Sequence, residues 1–243
     1  MTTLTRKQRE IQEREGLILD VARRMLVERG YLGLTMDRIA QEIEYSKGTV
    51  YQHFSSKEDV LVAVAGESMS KRADLFERAA AYQGPSRERM WAIGVADDLF
   101  LRLYPNHWEA EHIIRAASIQ SKATRERLVG LHATEMRCFG ACTGILRDAI
   151  AAGDLQVEAG EKPEDIAFGL WSMSFGAHFI AASSPNLEAK GMGDTDRSLR
   201  RNYNALLDGY GWTPLSHETD YTAAQDRILS KIFPEEARSL GLL

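Results

Sequence analysis

The sequence predicts an all-α fold, in which a small N-terminal domain of three short helices is followed by a larger helical domain. Apolar residues recur at three- and four-residue steps through most of the chain, which is the spacing of amphipathic helices. Glycine and proline interrupt these segments, and no convincing alternating strand pattern is present. The 243 residues, 44% hydrophobic and 27% charged, have the composition of a globular protein rather than a disordered one.

The first two helices are predicted from apolar spacing and from their end signals. Apolar residues follow helical spacing from Ile11 to Leu26, and Gly30 offers a left-handed stop. Thr35 is placed to cap a second helix, and Asp37 lies in its first turn, where the helix dipole favours an anion. The second helix is therefore expected to begin directly after Thr35.

A third helix follows after a tight turn. Ser46 is expected to cap a helix over residues 47–54, with Val50 and Phe54 one turn apart on its inward side. Ser56 is expected to cap a fourth helix in the same way. Two short capped helices joined by a tight turn, at about residues 35–54, are the signature of a helix-turn-helix.

The rest of the chain is predicted to be a helical bundle. Its helices are expected at about 57–82, 86–104, 107–121, 124–152, 163–183, 195–211 and 221–233.

The outward face of the third helix carries small or hydrogen-bonding side chains. On a helical wheel Gly48, Thr49 and Gln52 lie opposite the inward side, with Tyr51 and His53 at the flanks. Such a face suits entry into the DNA major groove, where base edges offer donors and acceptors.

Residues around this face could contact the DNA backbone. Gly48 lowers helix stability by about 0.5–1 kcal/mol relative to alanine, and its use would be to let the main chain approach DNA closely. Lys47 and Lys57 could reach phosphates, and Tyr51 and His53 could donate hydrogen bonds to them.

The charge distribution agrees with a polyanion at one end of the chain. Residues 1–57 carry ten Lys/Arg and eight Asp/Glu, a net charge of +2 against −5 for the whole chain, so the remaining 186 residues carry −7. Two interpretations stay open for Arg6, Lys7 and Arg9, namely a solvated tail or an arm that reaches into the minor groove.

Several function classes are not expected. Two cysteines cannot form a disulfide framework, no apolar run approaches the length of a membrane span, and the first thirty residues are charged rather than apolar. His107 and His112 are five residues apart, which is not the spacing of a helical zinc motif. We therefore expect a cytoplasmic protein without metal or other cofactor.

The N-terminal motifs resemble those of a known family. They are Gly30-Tyr31-Leu32-Gly33-Leu34-Thr35-Met36, Ile39-Ala40, Ser46-Lys47-Gly48-Thr49-Val50-Tyr51-Gln52-His53-Phe54 and Ser56-Lys57-Glu58. At this spacing they resemble the DNA-binding domain of the TetR family of bacterial transcriptional regulators. The resemblance covers about 60 residues of the chain. It implies a DNA-binding domain at 12–72 and a helical effector-binding and dimerisation domain at 73–243.

The resemblance also implies site residues and partners. The family places its third helix in the major groove, and the matching positions that would contact bases or phosphates are Thr35, Met36, Lys47, Gly48, Thr49, Tyr51, Gln52, His53 and Lys57. The implied partners are a palindromic double-stranded DNA operator, a second copy of the chain in a homodimer, and a small-molecule effector. No membrane partner is implied.

The turn before the third helix departs from the family pattern. The family usually has Ala-Gly-Val there, whereas this chain has Ile43-Glu44-Tyr45. A residue other than glycine in a left-handed conformation costs about 1 kcal/mol. Glu44 also brings a negative charge near the DNA.

Two faces of the second domain are candidate sites. Polar Glu135 and His132 fall on the predicted buried stripe of the 124–152 helix, where they would need a partner from the protein or from a ligand. The candidate ligand pocket consists of Trp91, Val95, Leu99, His132, Glu135, Phe139, Trp171, Phe175 and His178. The candidate dimer interface consists of Gly169, Ser172, Gly176, Leu199, Tyr203, Leu206 and Tyr210.

The leading hypothesis is a sequence-specific regulator, a repressor that a small-molecule effector releases from its operator. We do not expect an enzyme, because no glycine-rich phosphate loop, nucleophile elbow or metalloprotease helix is present. The alternatives are an enzyme that uses Glu135 and His132 for acid–base chemistry, and a protein-interaction module without DNA binding.

Overall fold

The computed structural model describes residues 5–115, 119, 121–158, 160–184 and 186–243. The helices in this part of the chain are α1 (Arg6–Gly33), α2 (Met36–Glu42), α3 (Lys47–His53), α4 (Lys57–Ala80), α5 (Ser86–Leu103), α6 (Pro105–Ile114), α7 (Arg125–Ala152), α8 (Pro163–Ser183), α9 (Thr195–Gly209), α10 (Tyr221–Lys231) and α11 (Pro234–Ser239). Among the described residues there is no strand, which confirms the predicted all-α fold.

The observed helix boundaries follow the predicted ones closely. The helix predicted at 163–183 has those bounds, and most others differ by a few residues. The helix predicted at 107–121 is observed from Pro105 to Ile114, and part of its predicted end lies outside the described residues. Helix α11 was not predicted, because its six residues are too short to show a period.

The chain divides into two compact units. The first comprises Met1–Ala73 and Phe100–Arg137, and the second comprises Asp74–Leu99 and Cys138–Leu243. The first unit therefore contains residues 100–137 in addition to the proposed DNA-binding domain at 12–72. That domain, and the effector domain at 73–243, remain predictions.

The core of the first unit is built from α1 to α4. Ile18, Leu26, Ile39, Val50 and Phe54 are almost completely buried in it. These residues occupy the inward sides that the apolar spacing predicts, so the three N-terminal helices are fixed by a shared hydrophobic core.

Two features of α1 bear on the sequence predictions. Gly30 has φ 65° and ψ −178°, so the main chain leaves the helical conformation there, as the sequence predicts. The basic residues Arg6, Lys7 and Arg9 form the exposed start of α1, capped by Thr5. These three residues are therefore helical and exposed to solvent, and their interpretation as a solvated segment or as an arm that reaches the minor groove stays open.

Polar side chains link α4 to α6 within the first unit. The Ser68 hydroxyl lies 2.8 Å from His107 Nδ1, and the Arg72 guanidinium donates to Glu111 Oε2 at 3.0 Å. All four residues are buried. Burial, followed by the positive charges of nearby basic side chains, lowers the pKa of His107 to about 4, so this imidazole is neutral near pH 7. His107 and Glu111 thus connect α6 to α4 through buried polar contacts.

A buried arginine organises the second unit. Arg87 on α5 is 0% exposed; its guanidinium donates to the Trp212 carbonyl at 2.5 Å and pairs with Asp208 Oδ1 at 2.7 Å. Burial alone would raise the pKa of Asp208, but hydrogen bonds from Ser216 and Arg87 outweigh it and lower that pKa. The Trp212 indole donates in turn to Ser86 Oγ at 3.0 Å. These contacts fasten the end of α9 to the start of α5.

Helix α8 is apolar on nearly all sides. Ile166, Ala167 and Leu170 are buried, whereas Phe168 and Trp171 are 61% and 47% exposed. By length and composition α8 is the one helix among the described residues that could cross a membrane. The expectation that no segment reaches this length is therefore wrong, although core helices of soluble proteins meet the same criterion.

Candidate nucleic-acid interface

The helix-turn-helix is set up by the two predicted caps. The Thr35 hydroxyl accepts a hydrogen bond from the Arg38 amide at 3.3 Å, and Ser46 Oγ accepts one from the Thr49 amide at 3.1 Å. Each cap satisfies an amide that the first turn of a helix leaves without a partner. Both N-caps are thus confirmed, and α2 and α3 begin where the sequence predicts.

The turn between α2 and α3 contains a left-handed residue. Glu44 has φ 58°, a conformation that side chains other than glycine rarely adopt. The Tyr45 amide donates to the Ala40 carbonyl at 3.0 Å and closes the turn. The turn therefore forms although Glu44 stands where the family has glycine, and Glu44 adopts the strained left-handed conformation.

The outward face of α3 is open to solvent. Lys47, Gly48, Tyr51 and Gln52 are exposed, while Val50 is completely buried. The face that the helical wheel assigned to base contacts is therefore accessible along the helix.

Gly48 is not required by the fold. A Cβ atom at this position would meet only Ser46 Oγ, at 3.7 Å, which is ordinary van der Waals contact. Since α3 would be more stable with alanine here, the fold itself gives no reason for the glycine.

Lys47 is held beside this face by two neighbours. Its ammonium lies 2.6 Å from Asp37 Oδ1 and 5.9 Å from the centre of the Tyr51 ring. The hydrogen bond to Asp37 raises the pKa of Lys47, so this side chain stays charged at neutral pH. A phosphate would have to compete with the exposed Asp37 carboxylate for the lysine.

Two residues expected to contact phosphate are buried. The Met36 side chain is 6% exposed and packs in the core, so only its main chain could face DNA. The His53 side chain is 7% exposed, with Nδ1 3.9 Å from Glu15 Oε1. The low exposure of the His53 ring does not favour a hydrogen bond to phosphate, and this contact stays a prediction.

Of the remaining predicted contact residues, Thr49 and Lys57 have contacts with other side chains or carbonyls of the chain. The Thr49 hydroxyl lies 2.8 Å from Ser46 Oγ. The Lys57 ammonium lies 3.8 Å from the centre of the Tyr31 ring, and its distance to the Tyr31 carbonyl is 3.4 Å. Thr35 and Lys57 are both half-buried. Their part in DNA binding stays a prediction.

The predicted ligand pocket is only partly supported. In the second unit Trp91, Val95 and Leu99 are buried on α5, as a pocket wall or a core would require. In the first unit the His132 side chain is 74% exposed and lies 3.9 Å from Glu135, which is itself only half-buried.

The expected burial of His132 is wrong because the buried stripe of α7 lies on a different side of the helix from the predicted stripe. The stripe runs through Leu131, Cys138, Ile145 and Ala149, so His132 lies about 100° around the helix from Leu131. Of the other predicted pocket residues, Phe139, Phe175 and His178 are half-buried and Trp171 is exposed.

Asp97, Ser174 and His178 form a polar cluster in the second unit. Of these three, only His178 was predicted as a site residue. The Ser174 hydroxyl donates to Asp97 Oδ2 at 2.8 Å, and His178 Nε2 lies 3.8 Å from the same oxygen. Burial raises the pKa of the Cys142 thiol to about 12 and also raises that of Tyr203, with the Asp97 charge adding to both. The signal in the sequence was Asp97, a carboxyl residue beside the buried Ala96 and Leu99 of α5.

The predicted dimer residues divide into two groups. Tyr203 on α9 donates its hydroxyl to the Leu170 carbonyl at 3.1 Å, so it holds α9 against α8 within one chain. Gly169, Gly176, Leu199, Leu206 and Tyr210 are half-buried, and Ser172 is exposed. The most exposed apolar side chains of α8 are Phe168, Trp171, Phe179 and Ile180.

The all-α fold and the capped pair α2–α3 define a helix-turn-helix protein. Residues 18–64 match the family model of the bacterial regulatory proteins of the tetR family. This match, which is confined to the N-terminal part of the chain, confirms the resemblance to the TetR family drawn from its motifs.

Individual relatives and structures agree. The chain is 36% identical over 66 residues to the HTH-type transcriptional repressor AcnR of Corynebacterium diphtheriae, a match that covers 27% of this chain and 35% of that protein. The chain therefore spans a minor part of the length of this curated relative. The relatives named for this segment are transcriptional regulators, in agreement with the expectation that the chain is not an enzyme.

Two solved structures share the fold. A bacterial regulatory protein of the tetR family from Rhodococcus RHA1 has a TM-score of 0.62 at 17% identity, over 82% of this chain and 97% of that one. The SmeT–triclosan complex has a TM-score of 0.61 at 22% identity, over 85% of this chain and 97% of that one. At these identities the similarity shows the fold alone.

Proposed function

We propose that this protein is a transcriptional regulator that binds operator DNA through α3 and represses the genes it controls. The observation that carries the proposal is the outward face of α3, which is exposed, free of aliphatic side chains, and contains a glycine that the fold does not need. Such a surface fits the major groove, whose base edges offer hydrogen-bond donors and acceptors. Repression is supported by the similarity to the repressor AcnR.

The charge of the N-terminal segment favours DNA binding at that end of the chain. Residues 1–57 are net positive, and Lys47 stands at the start of α3 with its charge maintained by Asp37. Phosphate contacts of this kind supply most of the non-specific affinity for DNA, while base contacts supply the sequence preference.

We infer that two copies of the chain act together. A single helix-turn-helix makes few base contacts, and a two-fold dimer would present two copies of α3 to half-sites about 34–36 Å apart. The aromatic side chains that α8 leaves exposed, Phe168 and Trp171 among them, would be covered by the second copy.

We also infer that a small molecule controls release from DNA. SmeT, which shares the fold, has been solved in complex with triclosan. In this chain the Asp97, Ser174 and His178 cluster offers hydrogen-bonding groups inside a mainly apolar helical unit, which suits an effector with a polar group. Effector and operator would then weaken each other's binding, typically by about 1–3 kcal/mol.

Selection from a random library of double-stranded DNA tests the proposal. The full-length protein is expected to enrich an inverted repeat whose half-sites are centred about 10 base pairs apart, or a multiple of the helical turn. Fluorescence anisotropy should then show much tighter binding to the selected duplex than to a shuffled one. Failure to enrich any sequence, with a folded protein, would refute a sequence-specific regulator.

A further inference from the structure

We propose that Arg127, at the start of α7, is a positioning residue for the recognition helix α3. The inference rests on the proposed DNA binding, and it assigns control of that binding to a residue outside the helix-turn-helix. Arg127 lies 74 residues after His53 in the chain, but its guanidinium donates to the His53 carbonyl at 3.1 Å. His53 is the last residue of α3.

Arg127 makes three contacts around the end of α3. Besides the His53 carbonyl, the guanidinium donates to Glu15 Oε1 on α1 at 3.1 Å and lies 4.5 Å from the centre of the Phe54 ring. Phe54 is 1% exposed and forms the C-cap of α3. One side chain thus ties α1, the end of α3 and α7 together.

The charge of Arg127 suits this position. The last carbonyls of a helix lack amide partners within the helix and carry partial negative charge, so a cation there is favourable. Helix α3 has only seven residues and few hydrogen bonds of its own, so its orientation depends on what holds its ends. Ser46 fixes the first end, and Arg127 holds the last.

A second contact fixes the same segment. The Thr124 amide, directly before α7, donates to Asp59 Oδ1 at 2.7 Å. The Asp59 carboxylate is 2% exposed and also accepts a hydrogen bond from Ser55 Oγ. Thr124 and Arg127 therefore attach the start of α7 to residues 53–59, which connect α3 to α4. A shift of this end of α7 would move the end of α3.

This position is away from the face that would contact DNA. Arg127 packs on Phe54, which lies on the inward side of α3, whereas Gly48 and Gln52 lie on the outward side. Loss of Arg127 should therefore weaken recognition by misorienting α3 rather than by removing a phosphate contact.

The test compares Arg127→Met with wild type in the full-length protein, using the duplex that wild type selects from a random library. Met keeps much of the apolar stem and removes both hydrogen bonds. We expect affinity for the selected duplex to fall about tenfold or more, as loss of a hydrogen-bonded charge implies. Affinity for a shuffled duplex, and the slope of log affinity against log salt, should not change, because no phosphate contact is lost.

Matched variants separate this role from a general structural one. Arg147→Met, also on α7 but in an exposed ion pair with Glu164, should bind like wild type. Arg127→Lys keeps the charge but not the planar guanidinium that lies over the Phe54 ring, so it should bind between wild type and Arg127→Met. Circular dichroism and the melting temperature report whether each variant is folded.

The outcomes are distinct. If wild type selects no sequence, the proposed function fails. If wild type selects a duplex and folded Arg127→Met binds it within twofold of wild type, or binds it with a smaller salt slope, the positioning role is wrong. If Arg127→Met does not fold, Arg127→Lys decides: a loss of affinity with an unchanged salt slope supports the role, and wild-type affinity overturns it.

Discussion

Replacing Arg87 by methionine is expected to lower the free energy of unfolding by about 1–3 kcal/mol, because the Trp212 carbonyl loses a buried donor and the half-buried Asp208 carboxylate loses its cation. Arg87 is completely buried, and its guanidinium binds both the Asp208 carboxylate and the Trp212 carbonyl. Methionine can fill part of the space but cannot donate to either oxygen. The Asp208 carboxylate and the end of α9 would lose the group that fixes them to α5.

Urea denaturation of the full-length protein, followed by far-ultraviolet circular dichroism, measures this effect. Arg201→Met, the same substitution at an exposed position on α9, is the matched control and should change the free energy of unfolding by less than about 0.5 kcal/mol. If Arg87→Met were as stable as this control, the contacts of Arg87 would not hold the second unit together.

Replacing Trp171 by aspartate is expected to prevent dimer formation and to lower operator affinity at least about a hundredfold, toward the non-specific level. Trp171 is 47% exposed on α8, and Phe168 and Phe175 lie 6.0 and 6.2 Å away between ring centres. A charge in this aromatic surface would be buried without a partner in a dimer but remains solvated in a single chain. The fold of one chain should therefore survive, while two helix-turn-helix motifs no longer act together.

Light scattering coupled to size exclusion gives the mass of the particle, and anisotropy gives its operator affinity. Val129→Asp is the matched control, because Val129 is 61% exposed on α7 and lies outside the proposed interface. This variant should remain dimeric and bind normally. A dimeric Trp171→Asp protein with full affinity would show that α8 does not form the interface.

Features that depend on neighbouring residues were predictable from the sequence. Thr35 and Ser46 cap their helices because a hydroxyl reaches amides only two or three residues away, and no distant contact is needed. Val50 and Phe54 are buried because they share one side of a short helix. The outward face of α3 follows from the same geometry.

Features that depend on distant residues were not predictable. The His53 ring is little exposed and lies 3.9 Å from Glu15 on α1, and a helical wheel of α3 contains no information about that helix. The contact of Arg127 with His53 joins residues far apart in the sequence, as does that of Arg87 with Trp212. The His132 prediction failed for a related reason, because the neighbours of α7 determine which of its faces is covered.

Methylation interference on the selected duplex is the most direct test of the central claim that α3 enters the major groove. Dimethyl sulfate methylates guanine N7 in the major groove and adenine N3 in the minor groove. Wild-type protein is expected to be blocked by N7 methylation at guanines of two half-sites about one helical turn apart. Interference confined to adenine N3, or no interference at any base, would contradict the account.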